Sequence, residues 1–198
     1  MSRKTKEEVL EEYRCSSIQD AAMAVIARRG VADATMQEIA DAAGIAKGTL
    51  YVYFKDRDEL LAKTAARAYE RLIASLDEAF QAPGTLEERL TGLVLRQLRF
   101  FDEHRELFAA YIALTHRDAP AKKKASHAVY LQRLERLFTE ARERGEVRVE
   151  PKEAAAVYAD VVRGVIVRRI EEKSKTPREE QAASVVSILL RGLAGEVS

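Results

Sequence analysis

Lys47, Gly48, Thr49, Tyr51, Tyr53 and Lys55 bring two ammonium groups, three hydroxyls and a glycine into one short stretch. Their chemistry is that of hydrogen-bond donation to anions and to base edges. Tyr51, Tyr53, Lys55 and the upstream Thr35 carry donors that suit phosphate oxygens. A helix fits the DNA major groove, where its N-terminal residues meet base edges. On such a helix Lys47, Gly48 and Thr49 would come first.

The flanking residues say which elements hold these groups. Thr35-Met36-Gln37-Glu38 is a capping box, a hydroxyl at N-cap with a carboxylate three residues on. It opens a short helix carrying Ile39, Ala40 and Ala43, and Gly44 closes it as a left-handed cap. A second short helical segment runs from Ile45 to Phe54. The turn at Ala43-Gly44-Ile45-Ala46 joins them with helix-turn-helix spacing. Ile39, Ala40, Ile45 and Leu50 lock the pair together. The same spacing fits a plain helical hairpin in which Tyr51, Tyr53 and Phe54 are core aromatics. Charge does not decide between the two, because residues 1–57 carry nine basic and nine acidic side chains.

The run from Thr35 through Ile39, Ala40, Ala43, Gly44, Lys47, Gly48, Thr49, Leu50, Tyr51, Tyr53, Phe54, Lys55 and Asp56 to Leu60 resembles the DNA-binding signature of TetR-like transcriptional regulators. Ile18, Ala21, Ala22 and Gly30 resemble the helix that precedes it. The resemblance implies an all-α protein with an N-terminal three-helix helix-turn-helix domain and a C-terminal helical bundle for ligand binding and dimerisation. It implies a homodimer on an inverted-repeat operator, acting as a repressor. By position, Lys47, Gly48, Thr49 and Tyr51 lie on the recognition helix, and Thr35, Tyr53, Lys55 and Arg57 on the phosphate side. Ala46 departs from the pattern, since Ser or Thr is common there. That removes a side-chain N-cap worth roughly 0.5–2 kcal/mol. Cys15 stands where Arg is common, and Arg57 where Lys is.

Beyond the motif the chain reads as helices throughout. Asp56 with Glu59 caps a long helix expected to reach about Phe80. Pro83-Gly84 breaks the chain, and Thr85 with Glu88 opens another capping box. Pro151 stands where a helix N1 residue would, and Thr176-Pro177-Arg178-Glu179 opens the last helix. Eight or nine helices and no strand are expected. The domain reading is 1–57 for DNA binding, linked by the helix that starts near 56, and 58–198 for effector binding and dimerisation.

Two features of the larger part suggest binding surfaces. The last two helices are apolar on more than one side, whereas a surface helix has one stripe. Either both are central to a monomeric core or they form a four-helix dimer interface. On the second reading the interface residues are Val161, Val165, Val186, Leu189, Leu190 and Leu193. Phe101, His104, Phe108, Tyr111, Tyr130 and Tyr158 combine apolar walls with a few polar groups, the composition of a bundle ligand site. Each aromatic is equally at home in a plain core. A lipophilic or aromatic effector is the expectation, held by few polar contacts.

Composition excludes other classes. Lys and Arg number 33 against 32 Asp and Glu, so the chain is no bulk polycation. Nine glycines and four prolines in 198 residues disfavour a many-turned β fold. The single Cys15 rules out an intrachain disulfide and a cysteine-rich zinc site. The longest stretches free of charge are ten residues, Leu107 to His116 and Gln181 to Leu190, where a membrane span needs about 20. There is no Gly-rich phosphate loop, no Gly-x-Ser-x-Gly elbow and no His-Glu-x-x-His. The expectation is a cytoplasmic regulator of transcription, not an enzyme, with no cofactor or metal. A helical enzyme or carrier, or an interaction scaffold with a vestigial motif, are the competing readings.

Overall fold

Local caps decide where the helices begin. Thr5, Thr35 and Thr85 each accept from the backbone three residues on, and Glu8, Glu38 and Glu88 reach back to the cap N–H. The computed structural model describes residues 5–115 and 121–193, apart from the side chains of 114, 115, 121–125 and Leu193. Among these residues the elements are α1 (Lys6–Arg29), α2 (Met36–Ala42), α3 (Lys47–Tyr53), α4 (Arg57–Ser75), α5 (Asp77–Gln81), α6 (Leu86–Glu103), α7 (Arg105–Thr115), α8 (Ala121–Glu143), α9 (Pro151–Glu171) and α10 (Arg178–Leu193). The chain is all-α, with no strand among the described residues.

The long helix expected to reach Phe80 stops early. α4 ends at Ser75, and α5 starts anew after Leu76. The Ser75 hydroxyl donates to the Leu72 carbonyl at 2.7 Å, and Arg133 Nη1 donates to that of Ile73 at 2.8 Å. The Leu72 carbonyl still accepts from the Leu76 N–H at 3.2 Å, whereas Arg133 occupies the Ile73 carbonyl, which the Asp77 N–H would use if the helix continued. This break raises the helix number above the eight or nine expected.

The chain divides into two compact units. The first is Met1–Ala68 with His104–Asp118, and the second is Tyr69–Glu103 with Ala119–Ser198. The first unit therefore takes in the start of α4 and all of α7, beyond the boundary read at residue 57. Its core contains Ile18, Ala22, Val25 and Ile26 of α1, Ile39 and Ala40 of α2, and Leu60 and Leu61 of α4. Burying each Ile or Leu side chain contributes roughly 1.5–3 kcal/mol. Arg67 fastens this unit, donating to the Ser16 carbonyl at 2.8 Å and to both oxygens of Asp20.

In the second unit α8 packs on α9 and α6 on α10. Leu90, Leu93, Val94, Leu98, Leu134, Phe138, Val162 and Val186 are buried there. The Gln97 amide, also buried, donates to the Leu93 carbonyl at 3.2 Å and the Tyr130 hydroxyl at 3.1 Å.

Candidate nucleic-acid interface

The turn before α3 is set by backbone geometry. Gly44 has φ +68°. Its N–H donates to the Asp41 carbonyl at 3.1 Å, and that of Ile45 to Ala40 at 3.0 Å. This is a Schellman cap, and it needs a left-handed residue that glycine supplies without strain. Ala46 is the N-cap of α3 and makes no side-chain cap bond, as the sequence indicated.

α3 is tied down by very little. Leu50 is its one buried residue, and Phe54, just past its end, is buried too. The Lys63 ammonium sits 5.3 Å from the centre of the Phe54 ring and 2.8 Å from Glu59. Glu59 in turn accepts from the Lys55 backbone N–H at 2.6 Å. The Lys63 bond first, then the Lys55 N–H, hold the Glu59 carboxyl below the usual carboxylate range.

The rest of the helix is displayed. Lys47, Gly48 and Lys55 are exposed, Tyr51 is 46% exposed, and Thr49 and Tyr53 are half-buried. The hairpin alternative therefore holds for Phe54 and fails for Tyr51. A Cβ at Gly48 would meet no heavy atom within 4 Å, so the chain's own packing does not require glycine there. Val52, which the motif reading passed over, is 79% exposed. An apolar side chain on a groove-facing helix suits the thymine methyl. Its signal was present in the sequence as an apolar residue two positions from the buried Leu50.

Two of the phosphate-side residues are engaged within the fold. Arg57 is half-buried, and its Nε donates to the Ala34 carbonyl at 3.2 Å while Nη2 donates to Val31. Its guanidinium pins the loop between α1 and α2 and is directed inward. The Thr35 hydroxyl is engaged with Glu38, accepting from its N–H at 3.2 Å and donating to Oε2 at 3.1 Å. Tyr53, by contrast, bonds across the fold. Arg14 of α1 donates to its hydroxyl at 3.2 Å. Arg14 was missed because its partner is 39 positions away.

An open cleft of about 780 Å³ lies beside α2, lined by Arg28, Arg29, Asp33, Thr35 and Glu38. The residues read as effector lining are not there, and they divide between the units. His104, Phe108 and Tyr111 belong to the first, and Phe101, Tyr130 and Tyr158 to the second. Tyr158 is wholly buried, donates to the Leu90 carbonyl at 3.1 Å and stacks edge-on against Phe138. Of the interface residues, Val186 is 0% exposed and Leu189 and Val165 are buried, so their own subunit already encloses them. Leu190 is half-buried, and the Leu193 side chain lies outside the described residues. Val161 is exposed, with Val157 and Ile188 as the unforeseen exposed apolar side chains on these helices.

A sequence model of bacterial regulatory proteins of the tetR family matches residues 18–64. The transcriptional repressor KstR of Mycolicibacterium smegmatis is 32% identical over 152 residues, 76% of this chain and 74% of that protein. The chain belongs to the TetR family. It is thus a DNA-binding transcriptional regulator, and α2 and α3 are the helix-turn-helix of a TetR-family protein. The fatty acid metabolism regulator protein of Bacillus subtilis is 26% identical over 134 residues, 66% of this chain and 69% of that protein. Among solved structures, FadR from Bacillus subtilis in complex with stearoyl-CoA matches with a TM-score of 0.69. That match is at 23% identity, covers 90% of this chain and 98% of that one, and is a likeness of fold. No helix among the described residues of the TetR-family chain is long and apolar enough to cross a membrane.

Proposed function

We propose that this TetR-family protein is a cytoplasmic repressor without catalytic activity that binds an inverted-repeat operator as a homodimer and leaves it when a lipophilic ligand binds. One observation carries the DNA reading. α3 has Leu50 as its one buried residue and turns Lys47, Gly48, Tyr51 and Val52 outward. Lys47, Thr49 and Val52 read bases, and Gly48 leaves room for the duplex to approach the helix. Tyr51, Tyr53 and Lys55 hold phosphates, which carry most of the affinity but little sequence information.

Exposed Val157 and Val161 on α9 and Ile188 on α10 support dimerisation. Gly164 lies seven residues from Val157 and Gly192 four from Ile188. Each has open space where a Cβ would stand, so a second copy's helices can approach closely. Two-fold symmetry then demands an operator with two-fold symmetry.

The effector class is supported by the relatives, one a fatty acid metabolism regulator and one solved with stearoyl-CoA. A long acyl chain is the lipophilic ligand that these relatives support. Phe101, Tyr130 and Tyr158, which share the second unit, remain the assigned lining.

The test is operator selection from random duplex DNA, followed by titration of stearoyl-CoA against the bound complex. Enrichment of an inverted repeat, and release of the protein by the thioester, are expected. Linkage requires that DNA weaken thioester binding by the same factor. No enriched sequence would sink the DNA reading, and tight thioester binding without release would sink the switch.

A further inference from the structure

Arg14 is an exposed cation in an acidic neighbourhood. It is the sole basic residue between Lys6 and Arg28, and Glu7, Glu8, Glu11 and Glu12 precede it. Glu11 lies one helical turn away, within easy reach of a local ion pair. Yet among the described residues Arg14 has one hydrogen-bond partner, the neutral phenol of Tyr53, at 3.2 Å. Ile18, one turn further along α1, is buried and fixes that helix against the core.

The direction of this bond matters. The Tyr53 oxygen accepts from Nη1, so the phenol proton is free to point elsewhere. A guanidinium has five N–H donors, and four remain. A hydroxyl that accepts from a cation is a better donor in turn. One O–H and several N–H groups therefore stand a hydrogen-bond length apart, on the end of α3 and on α1. Arginine's planar fork matches phosphate geometry, which a single ammonium does not.

We propose that Arg14 is a phosphate-binding residue of the DNA interface and forms with Tyr53 a two-donor clamp on one backbone phosphate. The proposal rests on the reading above that α3 docks on DNA. The clamp ties α1 to the duplex through the residue that already touches α3, so it fixes register without reading sequence. Glu11 repels the same phosphate and limits the gain.

The experiment measures affinity for the selected operator and for a scrambled duplex across a range of KCl concentrations. The proteins are wild type, Arg14→Gln, Arg14→Lys, Tyr53→Phe and the Arg14→Gln/Tyr53→Phe double variant. Arg14→Gln is expected to weaken binding to both duplexes by the same factor. It should also reduce the slope of log affinity against log salt by about 0.9, the value for one lost phosphate contact. Arg14→Lys should keep the slope. The double variant should lose less than the product of the two single losses, since the two residues share one phosphate. Arg14→Ala serves in place of Arg14→Gln if the latter melts below wild type. A wild-type slope in both charge-removing variants, or losses that simply multiply, would overturn the clamp while leaving the DNA reading intact. A wild-type protein that binds no duplex would overturn both.

Discussion

Both carboxylate oxygens of Asp102 accept from Arg169, Oδ1 from Nε and Oδ2 from Nη2, each at 2.9 Å. Arg169 Nη1 also donates to the Thr176 carbonyl and to Gln181 Oε1, both at 2.8 Å. One buried guanidinium thus joins the end of α6 to α9, to the α9–α10 connection and to α10. Removing one member of such a pair leaves a buried charge without its counter-ion, which costs about 3–5 kcal/mol. Asp102→Ala should lower stability by that order in urea unfolding. Asp102→Leu combined with Arg169→Met should recover much of the loss, since it leaves only the partly exposed Arg178, 3.5 Å from Asp102, without its counter-ion.

Gly48 separates stability from binding. Glycine inside a helix costs about 0.5–1 kcal/mol relative to alanine, and the fold has room for the methyl. Gly48→Ala should therefore raise the melting temperature. If the duplex backbone or bases come close at this point, the same change should weaken operator binding at least tenfold. Equal or tighter binding would show that DNA does not approach Gly48.

Two residues of α10 two positions apart should respond differently to a charge. Ile188 is 70% exposed, so Ile188→Glu should leave the subunit folded and, if the proposed dimer forms through α9 and α10, split it in sedimentation. Val186 is fully enclosed, so Val186→Glu should unfold the second unit before any question of assembly arises. A folded Ile188→Glu dimer would place the interface elsewhere.

Alkaline pH should unfold the protein through its phenols. Burial pushes the Tyr69 hydroxyl up to about 12 and raises those of Tyr130 and Tyr158 well above the ordinary phenol range. Their folded values exceed the unfolded one, so the stability they contribute is intact below pH 10. It is lost as pH rises from there through the folded values. Phenolate absorbance should therefore rise in two phases. The share of these three among the seven tyrosines should appear only with the loss of helical circular dichroism.

What the sequence made legible was local. The Thr35–Glu38 box and the Gly44 cap involve neighbours a few residues apart, so both helix ends around the turn were readable. The end of α4 was not, because Arg133 reaches the Ile73 carbonyl from 60 positions away. The inward bonds of Arg57 were hidden for a related reason. Its partners are the backbone carbonyls of Val31 and Ala34, which leave no mark on side-chain identity. On α10 the sequence offered more apolar residues than one stripe holds. Which of Val186 and Ile188 faces outward depends on how α10 meets α6 and α9, and periodicity does not carry that. Gln97 and Arg169 were legible in principle, as polar residues in otherwise apolar registers of α6 and α9.

The slender anchoring of α3 has an evolutionary corollary. Its place in the fold depends on Leu50, on the adjoining Phe54 and on a turn made by the Gly44 backbone. Lys47, Tyr51 and Val52 owe the fold almost nothing. Mutations at these positions can drift or be rewritten with no toll on folding, so a duplicated gene can acquire a new target sequence while its sensor stays intact. The same economy makes the helix a natural cassette for retargeting by exchange of a few side chains.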